Sequence, residues 1–178
     1  MKELADKNIF GITLQRLEYQ LIENHDDFSE SVIIGLQPRG IYLARRIHKI
    51  LSEILKTKIL LGELDTTFFR DDFRQHDQPI IPSSTHVDFI IENKKVILVD
   101  DVLFTGRTIR AGLDALLAFG RPAKVELLVL VDRRYSRHVP VEPDYVGIAV
   151  DTISSQKVKV SWKETDGEDN IIMLSSEK

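Results

Sequence analysis

The sequence predicts an α/β fold built on a mostly parallel sheet, and three observations predict it. Short apolar runs suited to buried strands alternate with stretches whose apolar residues recur every three to four positions. One of these runs, Val96-Ile97-Leu98-Val99, leads into two adjacent acids, Asp100 and Asp101, and then into the loop Thr105-Gly106-Arg107-Thr108 ahead of a helical pattern. Ligands of parallel sheets bind beyond the carboxyl ends of the strands, which is where that loop falls. The 178 residues fit one domain with a sizeable core, and 43% hydrophobic with 29% charged residues is ordinary for a globular protein.

Each element has its own warrant. Leu14, Leu17 and Leu21, spaced by three and four, predict an N-terminal amphipathic helix. Ser31 to Gly35 reads as a short buried strand, and Ile41, Ala44, Ile47, Leu51 and Leu55 mark the inner face of the helix after it. Ile59 to Leu64 reads as the next strand, with Thr66 to Phe69 as its extension. Asp71 to Asp88 is polar, holds Pro79 and Pro82 and has no period, a length that points to a functional lid or arm. Val96 to Val99, Ile109 to Phe119 and Val125 to Val131 form a strand–helix–strand unit. Gly120 stops that helix, and Arg121-Pro122 begins the turn. Tyr145 to Val150 reads as a further strand, and Val158, Val160, Trp162 and Ile171 to Leu174 as short strands in the tail, with Trp162 a packing residue.

Composition removes several function classes. There is no cysteine, so disulfides and thiolate metal sites are excluded. No run of about 18 apolar residues offers a membrane span. Polar residues follow Met1-Lys2-Glu3, with no apolar core of a secretory signal, so a cytoplasmic location is expected. The net charge of −4 does not advertise nucleic-acid binding, though it leaves room for a local basic patch. His25, His48, His76, His86 and His138 lack zinc-like spacing and read as ordinary surface residues.

The acid pair and its loop carry the chemistry. Carboxylates at a strand tip can accept hydrogen bonds from ribose hydroxyls. The loop N–H groups and the positive end of the following helix can hold a 5′-phosphate. A second loop, Gln37-Pro38-Arg39-Gly40, also joins a strand to a helix. Its glycine lets backbone approach a ligand, and its arginine can pair with phosphate oxygens.

The run VILVDDVLFTGRT resembles the phosphoribosyl-pyrophosphate (PRPP) binding motif of type I phosphoribosyltransferases. PRGIYLARRI, GELDTTFFRDD, RAGLDAL, GRPAKVELLVLVDRR and SSQKVKV extend the resemblance over most of the chain to the PyrR group, bifunctional pyrimidine-operon regulators and uracil phosphoribosyltransferases. Phe104 departs from the small residue common across the superfamily, although an aromatic is usual in this group. Gln37-Pro38 departs from the threonine that typically precedes Arg-Gly there.

The resemblance implies one phosphoribosyltransferase domain over residues 1–178, with a central sheet flanked by helices. A small hood would come from the N- and C-terminal segments, and a flexible loop would span about 71–88. It implies conversion of uracil and PRPP to UMP and pyrophosphate, with Mg²⁺ bridging substrate oxygens and reaching Asp100 or Asp101. Those acids would hold the ribose hydroxyls, a role favoured for Asp101 over that of general base. Val102, Leu103 and Phe104 would line the PRPP site, while Thr105, Gly106, Arg107 and Thr108 hold the 5′-phosphate. Arg39 and Gly40 would cradle pyrophosphate, and Arg70 at the root of the mobile loop would take part in catalysis. Arg133 and Val158 would meet the base. Partners implied are PRPP, uracil, UMP or UTP, a pyrimidine-operon leader RNA and a second copy in a dimer or tetramer. Arg45, Arg46 and Lys49 are the first RNA candidates, expected to face outward, followed by Arg16, Arg134, Arg137 and His138. The alternatives are an RNA-binding regulator without significant catalysis and a hypoxanthine-guanine phosphoribosyltransferase.

Overall fold

The computed structural model describes residues 1–69, 84–153 and 155–175. In chain order its elements are β1 (Lys2–Ala5), α1 (Lys7–His25), β2 (Ser31–Leu36), α2 (Gly40–Leu55), β3 (Leu60–Leu64), β4 (Lys95–Leu103), α3 (Arg107–Leu116), β5 (Lys124–Arg134), β6 (Tyr145–Asp151), β7 (Gln156–Ser161), α4 (Lys163–Asp166) and β8 (Asn170–Ser175). Among the described residues, five strands form a wholly parallel sheet in the order β3-β2-β4-β5-β6. A second, antiparallel sheet in the order β1-β8-β7 draws on both ends of the chain.

Alternation along the strands divides the core in two. Ile33, Ile97, Val99, Leu128 and Leu130 pack against α1, α2 and the small sheet, with Leu17, Leu21, Ile47, Leu51, Val160 and Trp162. Val32, Ile34, Val96, Leu98 and Val129 pack on the other face with Ile109, Ala115 and Leu116 of α3. Because both faces are covered, β2 is buried from end to end, and its sequence is a continuous apolar run. Asp6 caps α1 by accepting from the Ile9 N–H at 2.9 Å. Gly120, at φ 130°, ends the 3₁₀ turn Leu117–Phe119 that follows α3, at the stop expected from the sequence.

Three expectations are corrected. Thr67–Phe69 forms a 3₁₀ turn and does not extend β3. Its register is broken where the Asp65 carboxylate accepts from the Thr67 N–H at 2.9 Å and from the Thr67 hydroxyl at 2.6 Å. Strand β4 runs on through both acids to Leu103, because its backbone stays paired with β5 as far as Asp132. His25 is not a surface residue. It is 6% exposed, and its ring nitrogens lie 2.8 Å from Ser31 Oγ and 2.9 Å from Glu126 Oε2. Tyr145 donates to the same Glu126 oxygen at 2.7 Å. Burial pulls the imidazole below its ordinary pKa, against the opposing pull of Glu126. This cluster lies at the amino ends of β2, β5 and β6, away from the acid pair.

Glu18 is 6% exposed and has no hydrogen-bond or ion-pair partner among the described residues. It lines a groove of about 590 Å³ between α1 and α2 with Leu14, Tyr19, Lys49 and Ile54. Burial pushes its carboxyl from 4.5 up to about 7. A raised carboxyl contributes stability below pH 4.5 that is lost as the pH rises through 7. Glu18→Gln is therefore expected to stabilise the protein at pH 8 by about 2 kcal/mol and to change little at pH 4. The full displacement would give about 3 kcal/mol, lessened here because the groove opens to solvent. Urea unfolding at the two pH values checks this, and equal shifts at both would refute it.

Candidate active site

The two acids of β4 meet different neighbours: Asp100 lines a cleft on the α3 side, and Asp101 pairs with Arg39 of the loop after β2. Asp100 is 8% exposed, and its Oδ1 accepts from the Asp101 N–H at 2.9 Å. Burial pushes the Asp101 carboxyl above its ordinary pKa, although the Arg39 guanidinium and the Val102 N–H pull it down.

On the α3 side lies a cleft of about 310 Å³, lined by Asp100, the stretch from Val102 to Ile109 and His138. Gly106 caps α3 at φ 84°, a left-handed conformation that favours glycine. The first helical bond is Arg110 N–H to Gly106 carbonyl at 2.9 Å. The N–H groups ahead of it in the turn lie outside the helical ladder, with the Arg107 N–H directed to Thr105 Oγ1 at 3.4 Å, so cleft and helix dipole coincide. A Cβ on Gly106 would lie 2.7 Å from Val139 Cγ2, so this glycine makes room for the loop after β5.

That loop is held from within. The His138 N–H donates to the Thr105 carbonyl at 2.9 Å. Arg137 donates to the carbonyls of Phe104 and Arg133 at 2.7 and 2.9 Å and to the Asp132 carboxylate. Sequence reading named Arg137 and His138 only as RNA candidates. Their packing on the motif joins residues 31 to 34 positions apart, and no local pattern announces it.

Arg39 ends the loop after β2. Its Nε donates to Asp101 Oδ2 at 3.3 Å, its Nη2 donates to Asp166 Oδ2 at 3.1 Å, and Nη2 also reaches the Val160 carbonyl. The Trp162 N–H, foremost, and Arg39 hold the Asp166 carboxyl down at about 2. The Gln37–Pro38 peptide of this loop is cis. A Cβ on Gly40 would lie 2.5 Å from the Val99 carbonyl oxygen and 2.8 Å from Asp100 Cα. Gly40 therefore lets this loop close on β4. This packing stands beside the expectation that Gly40, with Arg39, cradles pyrophosphate.

Arg133 is 4% exposed. It donates to Thr152 Oγ1 at 3.0 Å and to the Gln156 carbonyl at 2.7 Å, and its guanidinium lies 3.8 Å from the centre of the Phe104 ring. It thus ties the start of β7 to an aromatic that lines the cleft. Val158 is half-buried against the core, and Leu103 lines the cleft while being buried in the α3-side core.

The basic helix face differs from expectation. Arg46 pairs with Asp169 at 2.7 Å and with Glu164, and it lies 5.0 Å from the Trp162 ring centre, so it locks the small sheet to α2. It faced outward in the sequence reading because helical spacing cannot show what a distant sheet lays over a helix. Arg45 and Lys49 are exposed, with Arg45 on Glu63 at 2.6 Å. Arg16 donates to the Val146 and Gly147 carbonyls, and Arg134 pairs with Asp151 at 2.7 Å. Arg70, His76 and the stretch 71–83 lie outside the described residues. The returning end, residues 84–88, pairs His86 with Glu63 at the edge of β3.

Among the described residues, no three His, Asp or Glu side chains converge as a metal cage. One carboxylate lining the cleft and a second on the next residue suit a hard cation carried on the oxygens of a substrate. No helix among the described residues is long and apolar enough to cross a membrane.

Comparison with known proteins places this geometry. Residues 1–165 match the family described as the phosphoribosyl transferase domain. A protein of Desulfosudis oleivorans named "Bifunctional protein PyrR" is 49% identical over 170 residues, covering 96% of this chain and 94% of its own. One of the same name from Elusimicrobium minutum is 42% identical over 174 residues, 97% and 96% of the two chains. Among solved structures, the hypoxanthine phosphoribosyltransferase of Trypanosoma cruzi superposes with a TM-score of 0.73 at 17% identity, covering 99% and 98% of the two chains, and so shares the fold.

Proposed function

The chain belongs to the PyrR group of the phosphoribosyl transferase family, and from that premise we propose that it transfers the phosphoribosyl group of PRPP to uracil and also regulates pyrimidine biosynthesis through a leader RNA. The observation that carries the first activity is the sharing of one strand between two loops. β4 sets Asp100 toward the cleft under Gly106 and Asp101 toward the loop of Arg39. A ligand with a 5′-phosphate at one end and a pyrophosphate at the other can span the strand tip, with its ribose over the acids.

In the reaction the bond from C1′ to the pyrophosphate oxygen breaks, the electron pair leaves with pyrophosphate, and N1 of uracil bonds to C1′ and gives up its proton to the departing pyrophosphate or to water. Positive charge spreads over C1′ and the ring oxygen on the way. The chain needs little covalent chemistry; it orients the two partners and neutralises the leaving group. Thr105, Gly106, Arg107 and Thr108 hold the 5′-phosphate at the start of α3. Asp100 and Asp101 accept from the ribose hydroxyls, and Arg39 takes the pyrophosphate. Bound Mg²⁺ would neutralise pyrophosphate oxygens, with Asp100 or Asp101 as its protein contact. Arg133 and Val158 border the base, Arg133 through its hold on Phe104.

Labelled uracil, PRPP and Mg²⁺ given to the purified protein should yield UMP, with hypoxanthine and guanine left unconverted. Purine turnover in place of uracil turnover would replace this reading by a purine salvage enzyme. For the second activity, leader RNA should be retained at low salt with UMP present and released steeply as salt rises. Arg45 and Lys49 are the exposed cations of α2 for that contact, and Arg46 is excluded by its packing. Absence of retention at low salt would leave an enzyme alone.

A further inference from the structure

We infer that Asp166 is a positioning residue that competes with pyrophosphate for the Arg39 guanidinium, setting how tightly the site holds PRPP and how readily it lets the product leave. The inference rests on the reading of Arg39 as the pyrophosphate ligand and adds a residue that no sequence motif singled out.

Arg39 is bracketed by carboxylates from two different layers. Asp101 stands on the central sheet and Asp166 in α4, beyond β7 of the small sheet. Nη2 is shared between the Asp166 carboxylate and the Val160 carbonyl, so the guanidinium is anchored on the small-sheet side. Nε and Nη2 carry all three of these bonds, so a pyrophosphate that takes that edge bidentately displaces one of the acceptors, while Nη1 donates to none of the described residues. Asp101 is already assigned to the ribose and the Val160 carbonyl is neutral, which leaves Asp166 as the charged rival.

Asp166 does not follow Arg39 when Arg39 moves. Its Oδ2 also accepts from the Trp162 N–H at 2.9 Å and from the Thr165 hydroxyl at 3.1 Å, and Lys159 Nζ lies 3.9 Å from Oδ1. The Trp162 ring is wholly buried, so the main holder of this carboxylate is itself fixed. The carboxylate therefore waits in place to take Arg39 back once pyrophosphate loosens. The Arg39 and Asp166 side chains are 37% and 22% exposed, which makes the rivalry moderate.

The test uses the full chain. Asp166→Asn keeps an oxygen for the Trp162 N–H and removes the charge that rivals pyrophosphate. It should tighten inorganic pyrophosphate binding and lower the KM for PRPP by about three- to tenfold. UMP affinity should not change, because its phosphate sits at the start of α3 and not on Arg39. Asp166→Ser, whose hydroxyl can also accept the cap N–H, should tighten pyrophosphate likewise. In an Arg39→Gln background neither substitution should have an effect. Weaker or unchanged pyrophosphate binding in both Asp166 variants overturns the inference, as does a gain that survives without Arg39. If Arg39→Gln alone leaves pyrophosphate affinity untouched, the pyrophosphate reading of Arg39 has failed and the inference falls with it. If Arg39→Gln weakens binding and the Asp166 variants do not tighten it, only the inference has failed.

Discussion

Asp101→Asn is expected to remove most of the turnover while leaving the fold at least as stable. Its carboxyl is driven above the ordinary range by burial, so its charge at neutral pH is held at a cost that the Arg39 guanidinium only partly offsets. An amide in its place relieves that cost but is a poorer acceptor for a ribose hydroxyl and a poorer partner for Mg²⁺. Hydrogen bonds to charged groups contribute about 1.5–3 kcal/mol, so kcat/KM for PRPP should fall by roughly ten- to a hundredfold. Asp100→Asn should cost a similar factor. Its oxygen can still accept the Asp101 N–H, so the strand should survive. Steady-state kinetics beside thermal unfolding checks both variants. Lost activity with an equal or higher Tm for Asp101→Asn is the expected pair of results. Unchanged kinetics in both variants would take the acids out of the site, and a large drop in Tm would make Asp101 a structural residue.

The legible parts of this protein were those written locally. Strand and helix periods gave the parallel sheet. The run from Val96 to Thr108 announced a strand, an acid pair and a helix start in contiguous residues, and the structure sets Asp100 and the helix start around one cleft and Asp101 against Arg39. What sequence could not show were contacts made across the fold. Asp166 reaches Arg39 over 127 positions, and Arg46 reaches Glu164 over 118. Asp166 lies in a polar stretch with no motif, and Arg46 sits on a helix face that looks solvated when the helix is read alone. His25 reads as a polar residue at a helix end, and only Glu126, 101 positions away, makes it a buried network residue. The acids also looked like the residues after a strand, because hydrophobicity stops at Val99 while backbone pairing does not.

Gly40→Ala is expected to damage both stability and pyrophosphate binding, and the coupling between the two losses is the informative part. Gly40 opens α2 with no positive φ, so alanine would be the better helix former by about 1 kcal/mol if helix propensity alone decided. Space decides otherwise. The added Cβ would meet the Val99 carbonyl at 2.5 Å and Asp100 Cα at 2.8 Å, both backbone atoms of a central strand paired on each side. Neither can swing aside like a side chain, so the start of α2 must lift from β4, at about 1–3 kcal/mol for overpacking a close contact. Lifting carries Arg39, one residue earlier, away from Asp101, and pyrophosphate affinity should fall by tenfold or so for each ~1.4 kcal/mol lost. Had this glycine served only to admit a ligand, the alanine variant would be as stable as the wild type, or more so, and would lose affinity alone. Denaturant unfolding and pyrophosphate titration on the same protein separate the two cases. A denaturant midpoint at or above the wild-type value would refute close packing as the reason for a glycine at position 40.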